Sequence, residues 1–125
     1  MKVLVTGGAG LIGSHTVDLA LEHGHEVRII DSLQPRVHPR GKPEWVPGEA
    51  EFVQGDVADR EDMSRALEGM EAVFHLAAYQ DYMPDFSRFI QTNTESTALL
   101  FELIVSDRRR YPVRKIVFAS SQAVC

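Results

Sequence analysis

The chain has 125 residues, is 44% hydrophobic and 25% charged, and carries a formal net charge of −5. A chain of this length hides roughly two-thirds of its unfolded surface, enough for one core but not two, and its acidic balance argues against a nucleic-acid or anionic-membrane surface, since both attract basic patches. The single cysteine, Cys125, rules out an internal disulfide and a zinc site built on thiolates, no apolar run approaches the length of a membrane span, and the opening MKVLVTGG is too short for a signal peptide. A soluble, cytoplasmic domain is expected.

In chain order, short apolar runs alternate with helical patterns, the mark of βαβ units and a parallel sheet. KVLVT (2–6) reads as the first strand. Leu11, Ile12, His15, Thr16, Leu19 and Ala20 then recur at helical spacing, and Gly24 stops the helix. EVRII (26–30) is the second strand. The stretch from Ser32 to Ala50 holds Pro35, Pro39, Pro43 and Pro47, so an exposed irregular loop is expected there. EFVQ (51–54) is the third strand, Asp59 reads as the N-cap of a helix closed by Gly69, and AVFHLA (72–77) is the fourth strand. From about Asp85 to Arg109 the pattern predicts the longest helix, apolar on several faces, with Arg108, Arg109 and Arg110 at the negative end of its dipole. KIVFA (115–119) is the fifth strand, running into Ser120 and Ser121.

TGGAGLIGSH, from Thr6 to His15, follows a strand and opens a helix. Gly7, Gly8, Gly10 and Gly13 satisfy both G-x-G-x-x-G and T-G-x-x-G-x-x-G, a spacing that allows a tight turn, a close approach of backbone to a pyrophosphate, and helix packing on the strand. Asp31, 18 residues after Gly13, stands where a carboxylate accepts from ribose hydroxyls and repels a 2′-phosphate, which favours NAD over NADP; Arg36 and Arg40 are close enough in sequence to host a phosphate instead. His75 on an apolar strand reads as a packed core histidine rather than a base. No serine, histidine and acid fall at spacings that suggest a hydrolytic triad.

Six segments in order, TGGAGLIGSH, IIDSL, GDVAD, VFHLAA, NTEST and IVFASSQAV, resemble the extended short-chain dehydrogenase/reductases, in particular the NAD-dependent nucleotide-sugar epimerase/dehydratase family. The resemblance implies a Rossmann-type, doubly wound α/β fold of five parallel strands in the order 3-2-1-4-5, with residues 1–125 as the N-terminal part of the NAD-binding domain and the substrate domain absent. It implies that Gly7, Gly10, Leu11, Ile12 and Gly13 cradle the pyrophosphate and that Asp31 holds the adenosine ribose. Asp56 and Val57 would flank the adenine, Leu76, Ala77 and Ala78 would line the path of the phosphates and nicotinamide ribose, and Asn93 would anchor the sheet or a loop beside the cofactor. Ser120 would lie near the nicotinamide, and Ser121 would hydrogen-bond the reacting sugar hydroxyl. Asp56 could instead cap the turn before the next helix, and the two serines could simply end a strand.

The family's acid–base pair, Tyr-x-x-x-Lys, has one match by spacing, Tyr111 with Lys115, but Pro112 and the start of a strand keep the two off one helical face. The expectation is therefore a fragment whose parent, a homodimer, oxidises a sugar carbon of a nucleotide sugar transiently with NAD, the tyrosine and lysine lying beyond residue 125. Alternatives on the same fold are a non-catalytic dinucleotide-sensing protein and an NADP-linked carbonyl reductase. Ser96 where the family prefers glycine, the short YQDYMPDFSRF segment, and Cys125 in place of tyrosine are departures that bear on substrate more than cofactor.

Overall fold

Strands β1 (Lys2–Thr6), β2 (Glu26–Asp31), β3 (Glu51–Gln54), β4 (Ala72–His75) and β5 (Lys115–Phe118) form one parallel sheet in the order β3-β2-β1-β4-β5. This arrangement, the one expected, is seen in the computed structural model of the chain, which describes residues 1–79 and 83–120. Helices α1 (Leu11–Glu22), α2 (Arg60–Leu67), α3 (Phe86–Phe89) and α4 (Ser96–Ser106) flank it. Because connections leave β1 and β4 towards opposite faces, a crevice opens at their carboxyl ends, the place where such sheets take ligands.

Successive residues of a strand point to opposite faces, so β1 feeds two cores. On one side Leu4, Ile30 and Val73 are buried with Met63, Ala66 and Leu67 of α2 and Leu100, Leu103 and Ile104 of α4. Each fully buried side chain of this size contributes about 1.5–3 kcal/mol by leaving water. On the other, Val3, Val5, Val27 and Ile29 meet Val17 and Ala20 of α1. The buried stripe of α1 is thus Gly13, Val17 and Ala20, while Leu11, Ile12 and Leu19, which the spacing counted as apolar contacts, are exposed. Gly24, at φ +81°, ends α1 as expected; its amide and that of His25 close on the carbonyls of Leu21 and Ala20.

Residues 32–50 form no regular helix, as the prolines dictate. They are nonetheless not simply an exposed loop: Leu33, His38, Val46 and Ala50 are buried, and three of these four complete the second core. Asp59 caps α2 by accepting from the Asp62 amide at 3.0 Å. At the other end of α2, Arg28 of β2 donates to the carbonyls of Ala66 (2.9 Å) and Glu68 (2.8 Å), placing a cation where the helix dipole is negative.

The predicted long helix is a run of three pieces, α3, a π turn at Ile90–Glu95, and α4. The Ser96 amide reaches back five residues to the Gln91 carbonyl, and the Ser96 hydroxyl takes the Thr92 carbonyl that an α-helical amide would have used. α4 ends at Ser106, so the arginines do not occupy its last turn. Asp107 instead turns the chain by accepting from the amides of Arg109 and Arg110, and the Arg108 guanidinium donates to the Val113 carbonyl at 2.7 Å. Among the described residues no helix is long and apolar enough to cross a membrane.

Candidate functional site

At the end of β1 the chain turns through Gly7, whose φ of +70° belongs to glycine and whose missing side chain lets the backbone of Ala77 approach. A Cβ at Gly13 would sit 2.1 Å from the Gly7 carbonyl oxygen, so only glycine lets α1 start this close to β1. Neither a side chain at the N-cap, Gly10, nor an acid in the first turn satisfies the amides that open α1. Those donors and the positive end of the helix dipole are left for a ligand on the crevice side.

Thr6 organises the opposite wall. Its hydroxyl oxygen accepts from the amides of Leu76 and Ala77, both at 3.0 Å, where the chain leaves β4. With those two donors received, the hydroxyl proton is directed to His75 Nδ1, also at 3.0 Å. The imidazole then carries its own proton on Nε2, 3.2 Å from the Ser96 hydroxyl, and that hydroxyl donates to the Thr92 carbonyl. Burial holds His75 neutral, pushing it down to about 4. His75 is therefore a core residue, as its strand position indicated, but one wired from β1 to the π turn.

Asn93 makes a second tie. Its side chain accepts from the Tyr79 amide at 2.8 Å and donates to the Tyr79 carbonyl at 3.0 Å, holding the segment after β4 as a neighbouring strand would. On the far side, Asp31 receives the Ala9 amide on Oδ2 (3.1 Å) and the Leu33 amide on Oδ1 (2.9 Å). The Trp45 indole N–H donates to the Ala9 carbonyl at 3.0 Å, so residues 32–50 are hooked onto the glycine turn. Asp56 Oδ1 accepts from the Ala58 amide at 2.8 Å, the turn-capping role weighed as its alternative.

These elements enclose a cleft of about 470 Å³ lined by Gly7, Gly10, Asp31, Asp56, Val57, Leu76, Ala77 and Ala78. Leu11 and Ile12 stand exposed at the mouth of α1, Gly13 lies beneath the turn, Asn93 acts through Tyr79, and Ser120 is exposed past β5. Ser121 lies outside the described residues. Residues that sequence reasoning did not single out are Thr6 as a polar hub, His38 and Trp45. Thr6 stood inside the glycine motif, but the other two had no signal beyond their place in a proline-rich loop. Tyr111 is buried with its hydroxyl on Ser64 while Lys115 is exposed on β5, so the two form no acid–base pair. Among the described residues no group of three or more His, Cys, Asp or Glu is placed to hold a metal ion.

Residues 3–125 match the family model described as the NAD dependent epimerase/dehydratase family. The chain belongs to that family. The UDP-glucose 4-epimerase of Streptococcus mutans is 39% identical over 98% of this chain and 36% of its own length. Two solved structures are similar: the UDP-glucose 4-epimerase of Thermotoga maritima with UDP-glucose (36% identity, TM-score 0.81, 97% of this chain and 38% of that one), and that of Thermus thermophilus in complex with NAD (37% identity, TM-score 0.80, the same coverage). The chain thus spans little more than a third of the length of these epimerase/dehydratase relatives.

Proposed function

We propose that residues 1–125 form the N-terminal part of the NAD-binding domain of a nucleotide-sugar epimerase/dehydratase, whose whole length interconverts a UDP-sugar or a close relative of one. The observation that carries the reading is the uncapped start of α1, brought against β1 by Gly13 and facing a cleft closed by Asp31 at the end of β2. The cleft fits a dinucleotide. Amides of Leu11, Ile12 and Gly13 face the pyrophosphate, over a turn in which the Gly10 amide closes on the Gly7 carbonyl. Asp31 keeps a free lone pair on each oxygen for ribose hydroxyls and repels a 2′-phosphate. Asp56 and Val57 flank the adenine, Leu76, Ala77 and Ala78 form the wall along the nicotinamide half, Asn93 fixes that wall, and Ser120 serves the nicotinamide end; the role of Ser121 on the sugar hydroxyl rests on the family resemblance alone. NAD, when bound, supplies the site with a hydride acceptor and donor.

The UDP-glucose, NAD and UDP complexes among the structural relatives support the substrate class. Exposed Phe86, Ile90, Phe101 and Val105 on one helical run support a homodimer; a clean monomer by light scattering at high concentration counts against that. Calorimetric titration of the chain tests the cofactor. Saturable binding of NAD⁺, tighter than NADP⁺ and weakened by Asp31→Ala, is expected, while no binding or a preference for NADP⁺ overturns the reading.

A further inference from the structure

His38 sits in the proline-rich segment yet is buried, with its side chain only 5% exposed. The chain reaches it by a sharp reversal after β2. Leu33 takes φ +54°, an unfavourable conformation for a leucine, and is held there by the Asp31 carboxylate receiving its amide. A turn follows, in which the amides of Val37 and His38 both close on the Gln34 carbonyl. These constraints bring the imidazole back over the strand end that it left.

There His38 Nε2 lies 4.0 Å from Asp31 Oδ1, beyond the reach of a direct hydrogen bond. Among the described residues neither ring nitrogen makes a hydrogen bond within the chain, and the one sealed-off side-chain polar atom lacking a partner is Asp85 Oδ1, so the His38 nitrogens are not sealed off, and the residue lines the cleft. A single hydroxyl oxygen placed about 2.8 Å from both atoms, with an angle of about 90° between the two bonds, spans the gap. Such a hydroxyl can donate to Asp31 Oδ1, which has received one amide and has a lone pair left, while accepting from His38 Nε2–H.

We propose that His38 reads the adenosine ribose together with Asp31, donating through Nε2 to a hydroxyl whose own proton goes to the carboxylate. The assignment rests on the NAD reading of the cleft and makes His38 a specificity residue within it. An aliphatic diol fragment with this donor–acceptor polarity is recognised, whereas a position that has lost its hydroxyl leaves both protein groups unpaired.

The test is a set of titrations at one fixed pH with NAD⁺ and with its analogues lacking the adenosine 2′- or 3′-hydroxyl. The unaltered chain should bind one of the two deoxy analogues about tenfold more weakly than NAD⁺. His38→Leu, which keeps the packing volume, should bind NAD⁺ about fivefold to tenfold more weakly and lose most of its discrimination against that analogue. His38→Gln, which keeps an N–H donor of similar reach, should recover discrimination, and His38→Met, which also lacks a donor, stands in for His38→Leu should the latter fail to fold. Equal weakening of all three ligands, or an unchanged affinity for NAD⁺, overturns the proposal while leaving the cofactor assignment intact. An unaltered chain that binds no NAD⁺ overturns both.

Discussion

Replacing Thr6 by valine keeps the shape of the residue and removes the hydroxyl on which three groups converge. The amides of Leu76 and Ala77 lose their acceptor and His75 Nδ1 loses its donor. An unsatisfied buried polar group costs about 1–3 kcal/mol. Leu76 and Ala77 are only half-buried, which places each at the low end, so the total comes to about 3–4 kcal/mol. Thr6→Ser is the control: it keeps the hydroxyl and sheds one buried methyl, for about 1 kcal/mol. Urea denaturation followed by circular dichroism should therefore separate the two variants by about 2–3 kcal/mol. Should they unfold within about 0.5 kcal/mol of each other, the hydroxyl is not the hub of the β1–β4 junction.

Gly13→Ala brings a Cβ within 2.1 Å of the Gly7 carbonyl, so α1 must lift from β1 and NAD⁺ affinity should fall at least tenfold; calorimetry showing unchanged binding refutes the close packing as a requirement. Trp45→Phe frees the Ala9 carbonyl and should weaken NAD⁺ severalfold, and because Trp45 is the only tryptophan, its emission in the unaltered chain should shift on NAD⁺ addition; a silent emission argues against the hook. His75, held neutral down to about 4 against an ordinary 6.5, favours the folded state fully above about pH 6.5 and progressively less as pH falls towards 4, because the unfolded chain then binds the extra proton. Between about pH 7.5 and about pH 5 the chain should lose about 2 kcal/mol that His75→Asn does not lose. Parallel stability profiles for the two refute the burial argument. Staying above pH 5 avoids interference from Asp62 and Glu71, whose carboxyls are held below their usual range chiefly by the amides of Asp56 and Lys2.

Apolar runs, glycines and caps announce themselves locally, which is why all five strands, the Gly7–Gly13 turn, the Asp59 cap and the Gly24 stop could be read from residue order. Asp31 was legible for the same reason, standing at a fixed distance from the glycines at a strand end. The π turn was not legible, since it depends on which carbonyl the Ser96 hydroxyl captures, and a serine inside a helical pattern does not declare its hydrogen-bond partner. His38 and Trp45 were hidden by their surroundings: proline-rich composition correctly predicts irregular backbone but carries no information on whether that backbone folds over a sheet face. The arginine triplet was misplaced because helix ends blur by a turn, and Asp107 supplied a stop that the apolar pattern did not mark.

The sheet order also sets a timetable for folding. Residue Val3 pairs with Val27 on one side and Ala72 on the other, and Ala72 in turn pairs with Lys115, so no strand in the sheet meets its neighbour through a tight turn. Closing such distant contacts costs entropy before any reward arrives, which puts domains of this kind among the slower folders. At a synthesis rate of about 5–20 residues per second, β1 waits on the order of several seconds between its own emergence and that of β4. Over that interval β1 is paired on one side alone, by β2, and the edge that will become the middle of the sheet is the one most in need of protection on a nascent chain.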